Sequence, residues 1–273
     1  MKHIITLSGG LTSAYVAKLV LEKYRDAELV FTDTHWETED LHRFLRDLEV
    51  FFDKRITRIS RTLLPKNEHR PRNKFDILVN DEMLKDGYIV LDPPKLFNAV
   101  GILGSNRSPV CSRHLKVAAL LKYVKREYKN KVTLYYGIDH SEAHRATRIT
   151  ARMSALGIKT SYPLIDAKLF FIRDVIEKWL ASVGIAIPKA YLDGDAHNNC
   201  GGGCVRQGKK GWLHCYYKHP EIYAKREIDE ANFKGGKYTY MKNLSLRELR
   251  KQIEEGKIET AYEDSTPCIC FEV

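Results

Sequence analysis

The chain has 273 residues and a formal net charge of +10, and 44% of its residues are hydrophobic. These values are typical of a folded globular protein and exclude a disordered polymer. Apolar runs in the sequence stay well short of a membrane span, and the first of them lacks the pattern of a signal peptide. We therefore expect a cytoplasmic protein without a membrane partner. The excess of positive charge favours an anionic partner, which is either a nucleotide or a nucleic acid such as tRNA or DNA.

A strand–turn–helix unit is predicted near the start of the chain. Residues 4–7 form a short apolar run that is typical of a buried strand, and a Ser-Gly-Gly turn follows at residues 8–10. Paired glycines adopt backbone conformations closed to other residues and leave space for a ligand. Because the start of a helix carries a partial positive charge, we expect residues 8–13, here called the glycine loop, to bind phosphate.

The candidate binding residues of the glycine loop are Ser8, Gly9, Gly10, Thr12 and Ser13. Their hydroxyl groups add polar contacts to the backbone N–H groups. The loop lacks the Gly-Lys-Ser/Thr sequence of the Walker A motif. A plain strand–turn–helix corner is the alternative interpretation.

A second strand is predicted at residues 28–32, with Asp33 and Thr34 at its end and a helix over 38–51. Ligands of open α/β sheets bind outside the carboxyl ends of the strands, so we expect Asp33 and Thr34 beside the glycine loop. Glu37 belongs either to this site or to a cluster that caps the following helix.

The next segments carry weaker signals. We predict a third strand at 55–59, a basic surface loop over 58–74, and a helix with a short strand within 75–91. The Asp-Pro-Pro sequence at 92–94 is expected to break the chain.

A helix is predicted over 109–128, with Cys111 in its first turn, close to Arg113, His114 and Lys116. A thiol at a helix start beside cations has a depressed pKa and is reactive or able to ligate a metal. The alternative is a small buried hydrophobic residue.

Gly137 ends a predicted strand at 132–136 and is a further candidate for nucleotide binding. The helix after it carries Arg145, Arg148 and Arg152 on one face. This stripe is either solvated or an anion-binding face. Because it starts at the carboxyl end of a strand, we favour anion binding.

After a helix predicted at 168–183, the chain becomes rich in cysteine, glycine and tyrosine. We therefore predict two parts, a nucleotide-binding domain at 1–165 and a smaller helical, cysteine-rich unit at 166–273.

Cys200 and Cys204 flank three glycines, and Cys268 and Cys270 form a second close pair. A tetrahedral Zn²⁺ or an iron–sulfur cluster needs about four thiolates. The candidate ligands are Cys111, Cys200, Cys204, Cys268 and Cys270. Three histidines are further candidates for a Zn²⁺ site: His197, His214 and His219. A set of free, buried cysteines is the alternative.

The glycine loop resembles the S-G-G-x-D-S PP-loop of the ATP-pyrophosphatase superfamily, also called adenine nucleotide α-hydrolase-like. Thr12 stands where that pattern has an aspartate, which removes a carboxylate from the phosphate site. The resemblance implies a doubly wound parallel sheet, with a smaller C-terminal unit, whose first loop holds the phosphates of ATP with Mg²⁺.

Later segments resemble the phosphoadenylyl-sulfate (PAPS) reductase-like branch found in phages and bacteria. These segments are residues 33–38, 111–116, 137–145, 198–205 and 268–271. Asp139 replaces an arginine that contacts sulfate-like groups in that branch, and the terminal E-C-G-[IL]-H of true sulfonucleotide reductases is absent. Both departures argue against a sulfonucleotide substrate.

The resemblance implies an enzyme that transfers the adenylyl group of ATP to an acceptor and releases pyrophosphate. A sulfur donor, through a cysteine, a [4Fe-4S] cluster or a Zn²⁺ site, then displaces AMP. Lys116 and Arg145 are the candidate catalytic residues, since charge neutralisation dominates such transfers. Two alternatives stay open: a thiol- or cluster-dependent reductase of PAPS or adenylyl sulfate, and a nucleotide- or nucleic-acid-binding module without catalysis.

Overall fold

The computed structural model describes residues 1–167 and 172–258. Its centre is a seven-stranded sheet with the order β4-β3-β2-β1-β6-β7, in which β5 pairs with β3. The strands are β1 (Lys2–Leu7), β2 (Glu28–Asp33), β3 (Ile56–Leu64), β4 (Lys74–Val79), β5 (Ile89–Val90), β6 (Val132–Tyr135) and β7 (Lys159–Ser161). Strands β1, β2, β3, β6 and β7 are parallel, and β4 and β5 run antiparallel to β3. The predicted α/β class with a mostly parallel sheet is confirmed.

Helices occupy most of the remaining described chain. They are α1 (Leu11–Lys23), α2 (Glu39–Phe52), α3 (Pro93–Val100), α4 (Ala118–Tyr128), α5 (Ala143–Ser154), α6 (Pro163–Asp166), α7 (Ile172–Ser182), α8 (Lys189–Leu192), α9 (Lys209–Lys218), α10 (Pro220–Asn232) and α11 (Leu246–Glu254). A π-helical turn, Ser112–Val117, leads directly into α4. None of the helices in these two ranges combines the length and the apolar character needed to cross a bilayer.

Both faces of the sheet are buried. Ile4 and Val30 pack on one side with Leu120 of α4 and Ile149 of α5. Ile5, Leu29 and Phe31 pack on the other side with α1 and α2. Burial on both faces explains why the strands are continuous apolar runs rather than alternating ones. Each such side chain contributes about 1.5–3 kcal/mol to stability.

The strand order places a crevice beside β1. From β1 the chain builds outwards through β2 and β3, and it later returns to the opposite side of β1 with β6. The loops that leave β1 and β6 diverge there, which is where α/β sheets of this kind bind ligands. Gly137 follows β6, and a Cβ atom on it would lie 2.6 Å from the backbone nitrogen of Ser13. The two loops are therefore in direct contact, and a glycine is needed at 137.

Two predictions about the middle of the chain are wrong. The predicted surface loop over 58–74 begins as strand, because β3 extends to Leu64 and Arg61 is buried in it. The predicted helix within 75–91 is instead β4 and β5, since Ile77 and Val79 alternate with the period of two that suits a strand. The break predicted at 92–94 lies at the boundary between β5 and α3. There the Asp92 carboxylate accepts a hydrogen bond from Lys95 N–H, and proline fits the first helical turn.

The C-terminal half shares its core with the first half. One cluster of buried residues contains Leu63, Leu96, Phe97, Leu115, Trp212, Tyr223, Tyr240 and Leu249. Helix α7 also packs on α1 and α2 through Ile176 and Leu180. The boundary predicted at residue 165 is not tested by these contacts and stays a prediction about chain organisation.

The close approach of Gly137 to α1 is testable. We expect Gly137→Ala to lower the free energy of unfolding by about 3 kcal/mol, because the new methyl group meets backbone atoms that cannot rotate away. Gly157→Ala is the control: its Cβ would meet no atom within 4 Å, and only its left-handed backbone conformation opposes it, at about 1 kcal/mol. Urea denaturation measures both, and equal losses would contradict the contact.

Candidate functional site

The glycine loop is closed by its own serines. The Ser13 hydroxyl oxygen accepts a hydrogen bond from the Ser8 N–H at 3.1 Å and donates to the Gly10 carbonyl at 2.9 Å. The Ser8 hydroxyl lies 3.1 Å from that of Ser13 and accepts from the Gly10 N–H at 3.3 Å. Gly9 has φ of +80°, which glycine adopts readily. The loop is therefore preorganised around the two hydroxyl groups.

Residues from the C-terminal half cover this loop. The Tyr191 hydroxyl accepts a hydrogen bond from the Leu11 N–H at 3.3 Å, and the Asn198 side-chain amide donates to the Gly9 carbonyl at 2.9 Å. A Cβ atom on Gly10 would lie 3.0 Å from the Tyr191 hydroxyl. The space that the paired glycines leave is thus occupied, in this state, by side chains 180 to 189 residues away in the chain.

A cleft lies between the glycine loop and the loop after β6. It is lined by Thr6, Ser8, Thr12, Ser13, Tyr136, Gly137, Ile138, Glu142, Arg145, His197 and Asn199. The structure therefore brings together five of the predicted site residues: Ser8, Thr12, Ser13, Gly137 and Arg145. Gly9 and Gly10 shape the adjoining backbone without lining the cleft.

The volume of the cleft limits what it holds. It measures about 80 Å³, whereas pockets for drug-sized ligands measure about 300–1,000 Å³. A phosphate-sized group fits this space. A whole nucleotide fits only if the cover formed by Tyr191 and residues 197–199 moves.

Arg145 is the buried cation of the cleft. It is 7% exposed and forms an ion pair with Glu142. Arg148 and Arg152 are exposed on the same helix, so the predicted arginine stripe contributes one member to the cleft. An anionic ligand in the cleft would compete with Glu142 for the Arg145 guanidinium.

His197 lines the cleft as a neutral side chain. Burial, together with the positive charge of Arg145, lowers its pKa to about 4, although Asp195 opposes this effect. At pH 7 its ring therefore offers one hydrogen-bond donor and one acceptor. A bound phosphate would add negative charge nearby and raise this pKa.

Glu37 connects the sheet to the segment that contains the cysteines. Its side chain is fully buried and accepts hydrogen bonds from the Thr34 hydroxyl at 2.9 Å and from the Cys200 N–H at 2.7 Å. Lys116 Nζ lies 3.7 Å from the same carboxylate. The helix cap is Thr38, whose hydroxyl oxygen accepts from the Leu41 N–H at 3.2 Å. The alternative that Glu37 caps α2 is therefore wrong.

Lys116 lies behind the cleft rather than in it. The side chain is 5% exposed, and its Nζ donates to the Asn199 side-chain oxygen at 3.5 Å. Asn199 lines the cleft, so Lys116 would act on a ligand there by holding Asn199 in place or through the electric field of its own charge. Its catalytic role stays a prediction.

Asp33 and Thr34 lie at the carboxyl end of β2, as expected, and each forms a hydrogen bond with a residue two or three positions further along the chain. The Asp33 carboxylate accepts a hydrogen bond from the His35 N–H at 2.7 Å, and the Thr34 hydroxyl donates to Glu37. Neither residue lines the cleft. Their contact with adenosine stays a prediction.

The four described cysteines lie in two places: Cys200 and Cys204 are next to each other, and Cys111 and Cys215 belong to the buried apolar cluster that the two halves share. The hydrogen bond with Cys204, burial and the Glu37 carboxylate raise the pKa of the Cys200 thiol well above its usual range, so without a metal it is protonated at neutral pH. Cys111 packs with the fully buried Cys215 in the cluster shared by the two halves. Cys268 and Cys270 lie outside the described residues.

A cluster without cysteine has the geometry of a metal site. The Asp195 carboxylate oxygens lie 3.2 Å from His214 Nε2 and 2.7 Å from His219 Nε2. Within 1–167 and 172–258, these three form the group of His, Cys, Asp or Glu ligand atoms that converge to within 4.8 Å of one another. The sequence pointed to the two histidines. Asp195 was missed because a lone aspartate in an Asp-Gly-Asp segment carries no spacing signal.

Comparisons with known proteins add little to this picture. No family model matches the chain. It is 28% identical over 153 residues to the "Uncharacterized nin region protein ORF290" of Escherichia phage lambda. The match covers 53% of this chain, and the chain spans about half the length of that curated relative. The relative's name states no activity, so function has to be inferred from the site.

Removal of one partner from the buried Glu37–Lys116 pair is expected to be costly. Lys116→Met leaves a buried carboxylate without its cation and should lower the free energy of unfolding by about 3 kcal/mol or more. The double variant Glu37→Gln/Lys116→Met should lose less than the sum of the two single variants. Urea denaturation of the four proteins gives this coupling, and simple additivity would show that the two charges do not interact.

The low pKa of His197 predicts a loss of stability in acid. The unfolded chain binds a proton at His197 near pH 6.5, whereas the folded chain resists it until about pH 4. Lowering the pH from 7 to 5 should therefore favour unfolding by about 2 kcal/mol through this group. His197→Gln should remove that part of the pH dependence in denaturation experiments. If the His197 imidazole, assigned by comparison with the His197→Gln variant, titrates near pH 6.5 in the folded protein by NMR, the prediction is contradicted.

Proposed function

We propose that this protein is an ATP-dependent enzyme of the PP-loop, PAPS reductase-like type that adenylylates a nucleotide or nucleic-acid acceptor. The observation that carries the proposal is one cleft at the switch point of the sheet, lined by hydroxyl residues of the glycine loop and α1 and by the buried Arg145. The described sheet, with the glycine loop leaving its central strand, agrees with the doubly wound fold that the resemblance implies.

Three features of the cleft favour a phosphate ligand. The start of α1 directs its partial positive charge at the glycine loop. Arg145 supplies a guanidinium that can bind a phosphate with two parallel hydrogen bonds. Three N–H groups of the loop are engaged by hydroxyl oxygens at 3.1–3.3 Å, and these long bonds are readily exchanged for bonds to a phosphate.

In the proposed reaction an acceptor oxygen attacks the α-phosphorus of ATP. The new P–O bond forms as the bond to the bridging α–β oxygen breaks. Pyrophosphate leaves with that electron pair, and the proton of the acceptor hydroxyl passes to solvent water. Arg145 would neutralise the charge that develops on the phosphates. Mg²⁺, which prefers oxygen ligands, would share this task when bound. The cleft offers it hydroxyl oxygens from Ser8, Thr12 and Ser13.

The sulfur-transfer step has less support from the described residues. A thiolate-bound cluster or Zn²⁺ needs about four thiolates, and the structure brings two together, Cys200 and Cys204. The further thiolates proposed for that site include Cys268 and Cys270, which lie outside the described residues. Displacement of AMP by a sulfur donor stays part of the proposal on the strength of the resemblance.

A basic pocket supports a polyanionic acceptor such as tRNA or DNA. This pocket of about 530 Å³ is lined by residues 101–103 and 105–107, by Phe233 and by residues 237–243. Arg107, Lys237 and Lys242 line it, together with the half-exposed ring of Tyr238, and the residues that line it include no carboxylate. Cations that bind phosphates beside an aromatic ring that stacks on bases are typical of nucleic-acid sites.

Arg145→Gln tests the proposal against its matched control Arg148→Gln, an exposed arginine one turn along the same helix. With ATP, Mg²⁺ and mixed tRNA or single-stranded DNA, we expect the native chain to release pyrophosphate. Loss of the buried guanidinium should slow this release about 100-fold, whereas Arg148→Gln should leave it unchanged.

The same assay separates the alternatives. Release of sulfite from adenylyl sulfate or PAPS, without pyrophosphate from ATP, would replace the proposal with the reductase. ATP that binds in a way that depends on Arg145 but is never cleaved would identify a binding module. Failure of ATP to bind at all would refute the nucleotide site.

A further inference from the structure

We propose that Asp195, His214 and His219 bind one divalent transition-metal ion, with Zn²⁺ the best fit, and that this ion anchors the cover of the glycine loop. The site is separate from the cysteines to which the sequence assigns a metal. The binding of the ion does not depend on the proposed reaction.

The three side chains converge from separate parts of the C-terminal half. Asp195 follows α8, His214 lies in the middle of α9, and His219 occupies the junction of α9 with α10. Their side chains are 7%, 19% and 15% exposed, so all three are largely withdrawn from water. The imidazoles of His214 and His219, from the middle and the end of α9, thus face the two carboxylate oxygens of the buried Asp195.

The ligand set selects the class of metal. Two imidazole nitrogens and one carboxylate oxygen form a common open Zn²⁺ site, in which a fourth position takes water or another ligand. Mg²⁺ and Ca²⁺ prefer sites made of oxygen alone. Tetrahedral bonds of about 2.0–2.1 Å place ligand atoms roughly 3.3 Å apart. The Asp195–His214 distance of 3.2 Å is close to that value, and the Asp195–His219 distance of 2.7 Å requires a shift of a few tenths of an ångström.

A hydrogen-bonded cluster without metal is the competing explanation. In that case both histidines carry a proton on Nε2 and donate it to Asp195. A metal ion needs the lone pairs of the same two nitrogens, so the two explanations assign opposite tautomers and exclude each other.

The cluster supports the segment that covers the glycine loop. A Cβ atom on Gly202 would lie 2.4 Å from the His219 ring, so the turn at 200–203 rests directly on the cluster. The same segment donates from Asn198 to the Gly9 carbonyl and from the Cys200 N–H to Glu37. An ion that fixes Asp195 and His219 would therefore hold residues 195–203 against the glycine loop.

The test is metal analysis of the untagged, full-length protein, dialysed against chelator and then titrated with Zn²⁺ alone. We expect about one equivalent to bind and to raise the thermal midpoint. His214→Asn and His219→Asn should each abolish binding, whereas the control His69→Asn, an exposed histidine, should retain it. Cys200→Ser/Cys204→Ser should also retain it.

Cobalt provides a readout on the native chain that does not depend on whether the variants fold. Co²⁺ in the proposed site should give visible d–d bands without the intense thiolate-to-cobalt charge-transfer band. A thiolate band, or loss of the ion in the cysteine variant alone, would move the metal to the cysteines and overturn the proposal. Failure of the native chain to bind Zn²⁺ would favour the hydrogen-bonded cluster. Because these measurements use no nucleotide, they are independent of the adenylylation assay.

Discussion

The position of the candidate site depends on one buried carboxylate. Glu37 follows the strand next to β1, and its side chain joins Thr34, Lys116 and the Cys200 backbone. A buried charge that loses its partner costs about 3–5 kcal/mol, so these groups are held together strongly. The arrangement fixes the end of the sheet, the π-helical turn and the C-terminal segment relative to one another. The cover of the glycine loop and the back wall of the cleft both follow from it.

The charged side chains that line the cleft balance one another. Glu142 neutralises Arg145, and His197 stays uncharged because burial and Arg145 lower its pKa to about 4. A phosphate would draw Arg145 from Glu142 and favour a proton on His197, so binding should couple to proton uptake. Tyr191 and Asn198 form hydrogen bonds to the glycine loop, so the proposed nucleotide would enter only if the C-terminal segment moved.

The sequence predicts the local features well and the long-range contacts poorly. The apolar run of β1 and the glycines after it depend on neighbours within a few residues, so their patterns identify them. Tyr191 and Asn198 reach the glycine loop from more than 170 residues away, and Asp195 meets its histidines only after three helices fold. The short β4 is stabilised by its pairing with β3, so its strand conformation depends on a partner that lies outside the segment. Contacts of this kind follow from the tertiary fold, which one sequence does not display.

Hydrogen–deuterium exchange, with and without a non-hydrolysable ATP analogue, tests the central claim that the glycine loop and its cover form one nucleotide site. The account predicts slower exchange at residues 8–13 and altered exchange at 191–199, with both changes saturating at the same nucleotide concentration. Arg145→Gln should weaken both together. Exchange that is unchanged in these segments, or changed only around the basic pocket at 237–243, would contradict the account.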